Sequence, residues 1–173
     1  MKPFAIVLHG PTSAGKSTTA AALQDCAPVP AFHVTLDAFV TMSRRRDMRS
    51  AEEQRLAYRI HCENLRSTLR RLVDTDFEII LDTVLRDDEE LEACLDVLSA
   101  RSLCLVGIKA PLDTLEQQES LRDDRATGMA REQLGHSAFG RPYDVVIDTS
   151  TCTAKEAAKV IRRYTEASRG PHQ

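Results

Sequence analysis

No apolar run in the 173-residue sequence approaches the roughly 20 residues a membrane span needs. Neither sign of charge dominates. Lys and Arg number 23 against 26 Asp and Glu, a formal balance of −3. That argues against broad, non-specific binding to nucleic acid or membrane surfaces. The first residues, MKPFAIVLHG, have one lysine and a short apolar run. They lack the long apolar region and small-residue cleavage site of a secretory signal, and no such signal is expected. The five cysteines, Cys26, Cys62, Cys94, Cys104 and Cys152, are scattered with no C-x-x-C pair. An odd, dispersed set suits reduced thiols that pack the interior of a cytoplasmic protein. No histidine stands at ligand spacing from a cysteine pair, so a zinc site is not expected. Repeats, linkers and low-complexity segments are also missing. The sequence therefore reads as one domain over residues 1–168 with a disordered tail at 169–173. Nothing in it sets an oligomeric state.

Five short apolar runs are present: FAIVL (4–8), FHVTL (32–36), FEIIL (77–81), LCLVGI (103–108) and YDVVI (143–147). They are rich in β-branched and aromatic residues and mostly unalternating, as strands buried on both faces are. Helical patterns separate them, which predicts an α/β domain with a mostly parallel sheet. Ser50 and Glu53 form a capping-box pair that starts a long helix, with Leu56, Ile60, Leu65, Leu69 and Leu72 on its apolar face. Further helices are expected after the first strand (16–25), at 88–99, from Pro111 and at 153–167.

After the first run comes Gly10-Pro11-Thr12-Ser13-Ala14-Gly15-Lys16-Ser17-Thr18. Its first eight residues fit G-x-x-x-x-G-K-[ST] in full, between a predicted strand and a predicted helix. Gly10 and Gly15 let backbone N–H groups approach phosphate, and the helix N-terminus adds partial positive charge. Lys16 is expected at the β- and γ-phosphates of ATP, and the Ser17 hydroxyl on Mg²⁺. A plain strand-turn-helix corner is the simpler account, and it does not need the lysine.

A phosphate loop serves switches, motors and kinases alike. A GTPase needs D-x-x-G after a strand and [NT]-K-x-D for guanine; Asp82 is followed by Thr83-Val84-Leu85, and TAKE at 153–156 ends in Glu. Small-molecule kinases remain, and they need charge neutralisation and a base for the acceptor hydroxyl. Asp37 is expected to end the second strand, FHVTLD, where strand carboxyl ends face the ligand crevice. It can take the hydroxyl proton or hold Mg²⁺ through water; a helix cap is the plainer role. Asp82 closes the third run as a Walker B acid does and is expected at Mg²⁺. Arg122, Arg125 and Arg131 surround Gly128 in LRDDRATGMAREQ, a polar stretch suited to a lid whose guanidinium groups meet the transferring phosphoryl. They can equally be solvated helix charges. Thr149, in DTS (148–150), is a candidate adenine contact or a cap for the last helix. No catalytic role is expected of His9, His33, His61, His136 or His172, with His33 the nearest to the crevice.

Four stretches, GPTSAGKS, FHVTLD, FEIILDTV and LVGIKAPLDTLEQQESLRDDRATGMAREQ continuing to YDVVIDTS, resemble the chloramphenicol phosphotransferase family of P-loop kinases. The resemblance implies a five-stranded core of order 2-3-1-4-5 and a short arginine-bearing lid. It also implies ATP with Mg²⁺ and phosphorylation of an alcohol on a small molecule, an antibiotic or a metabolite. By motif position it makes Asp37 the general base, with Lys16 and Ser17 at the phosphates. The departure lies in residues 41–73, shorter than in the family and carrying nine arginines against four acids. Arg44, Arg45, Arg46 and Arg49 precede the helix cap, where they could face the acceptor. Four guanidinium groups suit carboxylate or phosphate rather than neutral chloramphenicol. This suggests an acceptor alcohol that also carries an anionic group, or a nucleotide-like molecule; equally, the four arginines can lie on a solvated face or pair with nearby acids. A nucleic-acid end as acceptor, and an ATP-binding regulatory module without an acceptor, are the alternatives.

Overall fold

The computed structural model describes residues 2–85, 88–121, 128–134 and 140–168. Its centre is β1 (Ala5–His9), buried along its whole length. β1 pairs in parallel with β3 (Glu78–Thr83) on one side and β4 (Leu103–Lys109) on the other. β2 (Ala31–Thr35) lies outside β3 and β5 (Val145–Asp148) outside β4. The parallel order β2-β3-β1-β4-β5 is the one the family resemblance implies. The apolar runs of β1, β3 and β4 are buried by helices on both faces, whereas the edge strands β2 and β5, read as buried too, expose Phe32 and Val146. Ala5 and Val7 point into a cluster with Leu65 and Leu69 of α3 (Ala51–Leu72) and Leu91 and Leu98 of α4 (Asp88–Leu98). Ile6 and Leu8 point the other way, against Leu23 of α1 (Lys16–Asp25), Leu115 of α5 (Leu112–Ser120) and Ile161 of α7 (Ala154–Ala167). Each such leucine or isoleucine contributes about 1.5–3 kcal/mol by leaving water.

Element ends differ from the sequence expectation where side chains cap the backbone. The fifth strand starts at Val145 rather than Tyr143, because Asp144 Oδ2 accepts from Leu105 N–H at 2.7 Å and replaces a ladder partner. Pro111 is the cap of α5 and not its first residue. α7 is capped by Thr153, whose hydroxyl and Glu156 form a reciprocal capping box.

The apolar face expected for α3 is only half right. Leu65, Leu69 and Leu72 are buried, but Leu56 and Ile60 are 49% and 45% exposed. The cause is the helical period: at about 100° per residue Leu56 and Ile60 stand about 140–180° from Leu65 and Leu69, and beside Ile60 it is His61 and Cys62 that α3 buries. At its start Ser50 Oγ accepts from Glu53 N–H as expected, but the Glu53 carboxylate turns to Arg49 and leaves the box half made. The cysteines are free thiols; Cys62, Cys94 and Cys104 pack the interior, while Cys26 is exposed, against expectation.

Two polar contacts lock the layers together. The Glu78 carboxylate, at the start of β3, takes two bonds of 2.6 Å from the Arg162 guanidinium of α7, both side chains buried. Arg162 also donates to the Leu23 carbonyl of α1. Arg101 donates to the carbonyls of Leu72, Val73, Thr75 and Phe77, and so closes the end of α3 against β3.

Candidate active site

The carboxyl ends of β1, β2 and β3 open into a cleft of about 140 Å³, lined by Thr12, Ser13, Gly15–Thr18, Thr35–Asp37, Asp82–Val84 and Gln118. The phosphate loop wraps its floor. Gly15, at φ 83°, takes the left-handed turn that starts α1. Gly10 is required for a different reason from the one its motif suggests: a Cβ there would stand 2.2 Å from the Ile108 carbonyl oxygen. Its small size lets the loop leave β1 across β4. Ser13, at φ 61°, is a second left-handed position without a glycine's freedom.

Lys16 is 6% exposed, and its ammonium donates to the Pro11 carbonyl at 2.7 Å. A buried ammonium needs such partners. Ser17 Oγ donates to Asp82 Oδ2 at 2.6 Å, and His33 Nε2 lies 3.3 Å from the same oxygen. Asp82 is 3% exposed. Burial pushes its carboxyl upward, but the bonds from His33 and Ser17 and the Lys16 charge outweigh it and hold the group below the usual carboxylate range. An anionic oxygen beside a hydroxyl at the loop–helix junction suits Mg²⁺, which takes one or two carboxylates and completes its shell with phosphate oxygens and water. Among the described residues no group of three or more His, Cys, Asp or Glu side chains is placed to hold a metal.

Asp37 does not end β2. The strand stops at Thr35, and Asp37 sits in the first turn of α2 (Leu36–Val40), its N–H capped by Thr35 Oγ1 at 3.3 Å. The short helix still brings the exposed carboxylate to the cleft wall, across from the phosphate loop. Thr149 braces the loop: its hydroxyl lies 3.0 Å from the Ala14 carbonyl and 3.2 Å from that of Lys109. It does not cap α7, a role held by Thr153.

The candidate arginines among the described residues fall elsewhere. Arg131, on α6 (Met129–Leu134), pairs with Glu116 at 2.9 Å and is 66% exposed, outside the cleft lining. Arg122 and Arg125 lie outside the described residues. Arg44 and Arg46 pair with Asp47, Arg49 with Glu53, and Arg45 with the Gln54 carboxamide. None of these four lines the cleft. Arg44 and Arg49 instead border a separate shallow groove with Met48, Leu56 and Ile60. Asp47 and Glu53 offset part of the charge of the basic stretch, and none of its four arginines faces the cleft as an anionic acceptor there would require.

Three contacts around the cleft and the phosphate loop escape sequence reasoning. His33 meets Asp82, signalled only by its place on β2. Gln133, on α6, accepts from Thr12 N–H at 2.6 Å. Glu119, buried on α5, accepts from the N–H groups of Gly128 and Ala130. His9 and His61 are buried and hydrogen-bonded within the core, while His136 and His172 lie outside the described residues.

Comparison with known proteins agrees with this geometry. The family model for chloramphenicol phosphotransferase-like proteins matches residues 4–166. Among solved structures, shikimate kinase from Acinetobacter baumannii in complex with shikimate superposes with a TM-score of 0.70 at 17% identity, over 99% of this chain and 97% of that one. The APS kinase of Mycobacterium tuberculosis, in complex with AMPPNP and APS, gives 0.69 at 16% identity over 96% and 99%. The tunicamycin resistance protein of Deinococcus radiodurans gives 0.67 at 19% identity over 95% and 96%. The fold is that of P-loop kinases. No curated protein matches the chain.

Proposed function

The chain belongs to the chloramphenicol phosphotransferase-like family, and from that premise we propose that it transfers the γ-phosphoryl group of ATP to an alcohol of a small molecule. The observation that carries this reading is the meeting of Lys16, Ser17 and Asp82 in one cleft that Asp37 also lines. A non-catalytic nucleotide-binding module has no use for a second carboxylate facing the phosphate loop.

The phosphate-loop amides and Lys16 bind the triphosphate, with Lys16 leaving the Pro11 carbonyl to do so. Ser17 and Asp82 would hold Mg²⁺, which would screen the phosphate charge. Thr149 keeps the loop seated on β5, and serves as the candidate neighbour of the adenine base. The acceptor hydroxyl gives its proton to Asp37 as its oxygen bonds to the γ-phosphorus, and the bond from that phosphorus to the β-bridging oxygen breaks. ADP leaves with that electron pair. Arg122 and Arg125 are assigned, on sequence grounds, to the charge on the transferring group. Arg131, held by Glu116, is not assigned there.

The acceptor need not be anionic. Arg44, Arg45, Arg46 and Arg49 are engaged with their own neighbours, and the reading that made them an anion site loses its support. A nucleic-acid end loses it for the same reason. Chloramphenicol, tunicamycin, shikimate and D-gluconate, incubated with the protein and Mg²⁺·ATP, together with a wider set of neutral and anionic alcohols, test the proposal by mass spectrometry. A gain of one phosphoryl group on one class is expected. Nucleotide binding with no transfer to any of them would leave a binding module instead.

A further inference from the structure

The Pro11–Thr12 peptide is gripped at both ends. Its carbonyl oxygen accepts from Lys16 Nζ at 2.7 Å, and its N–H donates to Gln133 Oε1 at 2.6 Å. Pro11 C=O and Thr12 N–H belong to one planar amide, so the two bonds fix a single rigid plate. Gln133 comes from 121 positions away. It is 3% exposed, so its oxygen is committed to the loop rather than to water. The helix that carries it is itself anchored: Glu119, also 3% exposed, accepts from Gly128 N–H at 2.7 Å and Ala130 N–H at 3.1 Å.

The two grips are not equivalent. Lys16 is the cation the phosphates require, and it must leave Pro11 when they arrive. Gln133 meets the face of the plate that Lys16 does not use, and nothing in phosphate binding asks it to move. A bond equally strong in the empty and loaded states shifts no equilibrium. Here the two states differ: with Lys16 withdrawn, the Gln133 bond carries more of the task of orienting the plate. The amides that follow it, through Ser17, inherit their directions from that orientation.

We propose that Gln133 is a positioning residue for the phosphate loop, whose carboxamide oxygen holds the Pro11–Thr12 peptide in the nucleotide-binding orientation when Lys16 turns to the phosphates. The inference rests on the reading that this loop binds a nucleoside triphosphate. It adds that affinity for the nucleotide depends on a side chain that touches no phosphate.

The test is titration calorimetry with Mg²⁺·AMPPNP on the full chain, at least 15 °C below each variant's unfolding midpoint. Gln133→Met keeps length and bulk but offers no acceptor, leaving a buried N–H unmet. Such an orphan typically costs about a five- to hundredfold shift in an equilibrium, and Kd is expected to rise about tenfold. Gln133→Glu keeps an acceptor oxygen at the same reach and should bind at least threefold more tightly than Gln133→Met. A merely structural role lowers the unfolding midpoint and leaves Kd alone. Wild-type Kd in folded Gln133→Met, or equal weakness in the Met and Glu variants, overturns the inference. Should Gln133→Met fail to fold, Gln133→Ala replaces it under the same criteria. No uptake by the wild-type chain overturns the nucleotide reading itself, and the inference with it.

Discussion

Ser17 Oγ and Asp82 Oδ2, 65 positions apart in sequence, lie 2.6 Å apart where β3 ends and α1 begins. The register of the sheet makes the meeting: Leu8 pairs with Asp82, so the acid stands beside the strand that feeds the phosphate loop. Asp82→Asn keeps the shape and removes the charge. Loss of a charged partner at such a site typically costs roughly 10–100-fold in metal affinity. Nucleotide affinity in the presence of Mg²⁺ should fall by that order. Without Mg²⁺ the variant and the wild type should bind alike, and a difference that persists in EDTA would count against the metal role.

Asp37 makes a prediction of the opposite kind. Its carboxylate is exposed on a short helix at the cleft wall, and Asp37→Asn keeps the side chain's shape. Asp37→Asn should leave the unfolding midpoint and nucleotide Kd within error. Turnover should drop by about 10²–10⁴-fold, the usual contribution of a positioned base. Wild-type turnover on the acceptor found by mass spectrometry would remove Asp37 from the role.

The buried pair of Glu78 and Arg162 bears on stability alone. It joins the start of β3 to α7, at the end of the strand away from the cleft. Removing one partner of such a pair typically costs about 3–5 kcal/mol, while replacing both by apolar residues can be neutral. At about 2–4 °C per kcal/mol for a chain of this size, Arg162→Met should lower the unfolding midpoint by roughly 6–20 °C. The double variant Glu78→Leu/Arg162→Met should recover much of that loss, and nucleotide affinity should change in neither. A double variant no more stable than the single one would show that the pair itself, and not the orphaned charge, is what matters.

The phosphate loop, the five strands and Asp82 can be read from the sequence because each is a local pattern: a motif of eight residues, or an apolar run closed by an acid. Capping is local too, but its strength is invisible in one dimension, so β2 ends at Thr35 and Asp37 moves onto a helix. The long-range contacts leave no such trace. Gln133 is one polar residue in a polar stretch until the fold sets it against Thr12 N–H. Arg44 to Arg49 illustrate the reverse error. A run of like charge suggests a ligand of the other sign, yet Arg44, Arg46 and Arg49 pair with the nearby Asp47 and Glu53, Arg45 donates to Gln54, and none of the four lines the cleft. Leu56 and Ile60 belong to a second face of α3, about 140–180° from Leu65 and Leu69, while Cys62 on the inner face is buried.

His9, one residue before Gly10, gives the last prediction. It is fully buried, with Nε2 3.0 Å from the Leu85 carbonyl and Nδ1 2.9 Å from the Tyr143 hydroxyl. A carbonyl only accepts, so Nε2 carries the proton and Nδ1 takes one from Tyr143. Burial pushes the imidazole down from 6.5 to about 4, helped by the charges of Lys16 and Arg141 and opposed by the Leu85 carbonyl and Asp88. Between those values the unfolded chain binds a proton that the folded chain refuses. Stability must therefore rise with pH across about 4–6.5 and be lost on acidification, by about 3 kcal/mol at the upper limit. The depressed carboxyl of Asp82 works in the same direction, but only at and below its ordinary value of 3.8, so the two windows separate. Urea midpoints measured from pH 7 to 4.5 should slope for the wild type and flatten for His9→Gln, which keeps a donor for Leu85 but does not titrate. Parallel slopes would mean that some other group governs acid unfolding, and that the strand entering the phosphate loop is indifferent to the charge on His9.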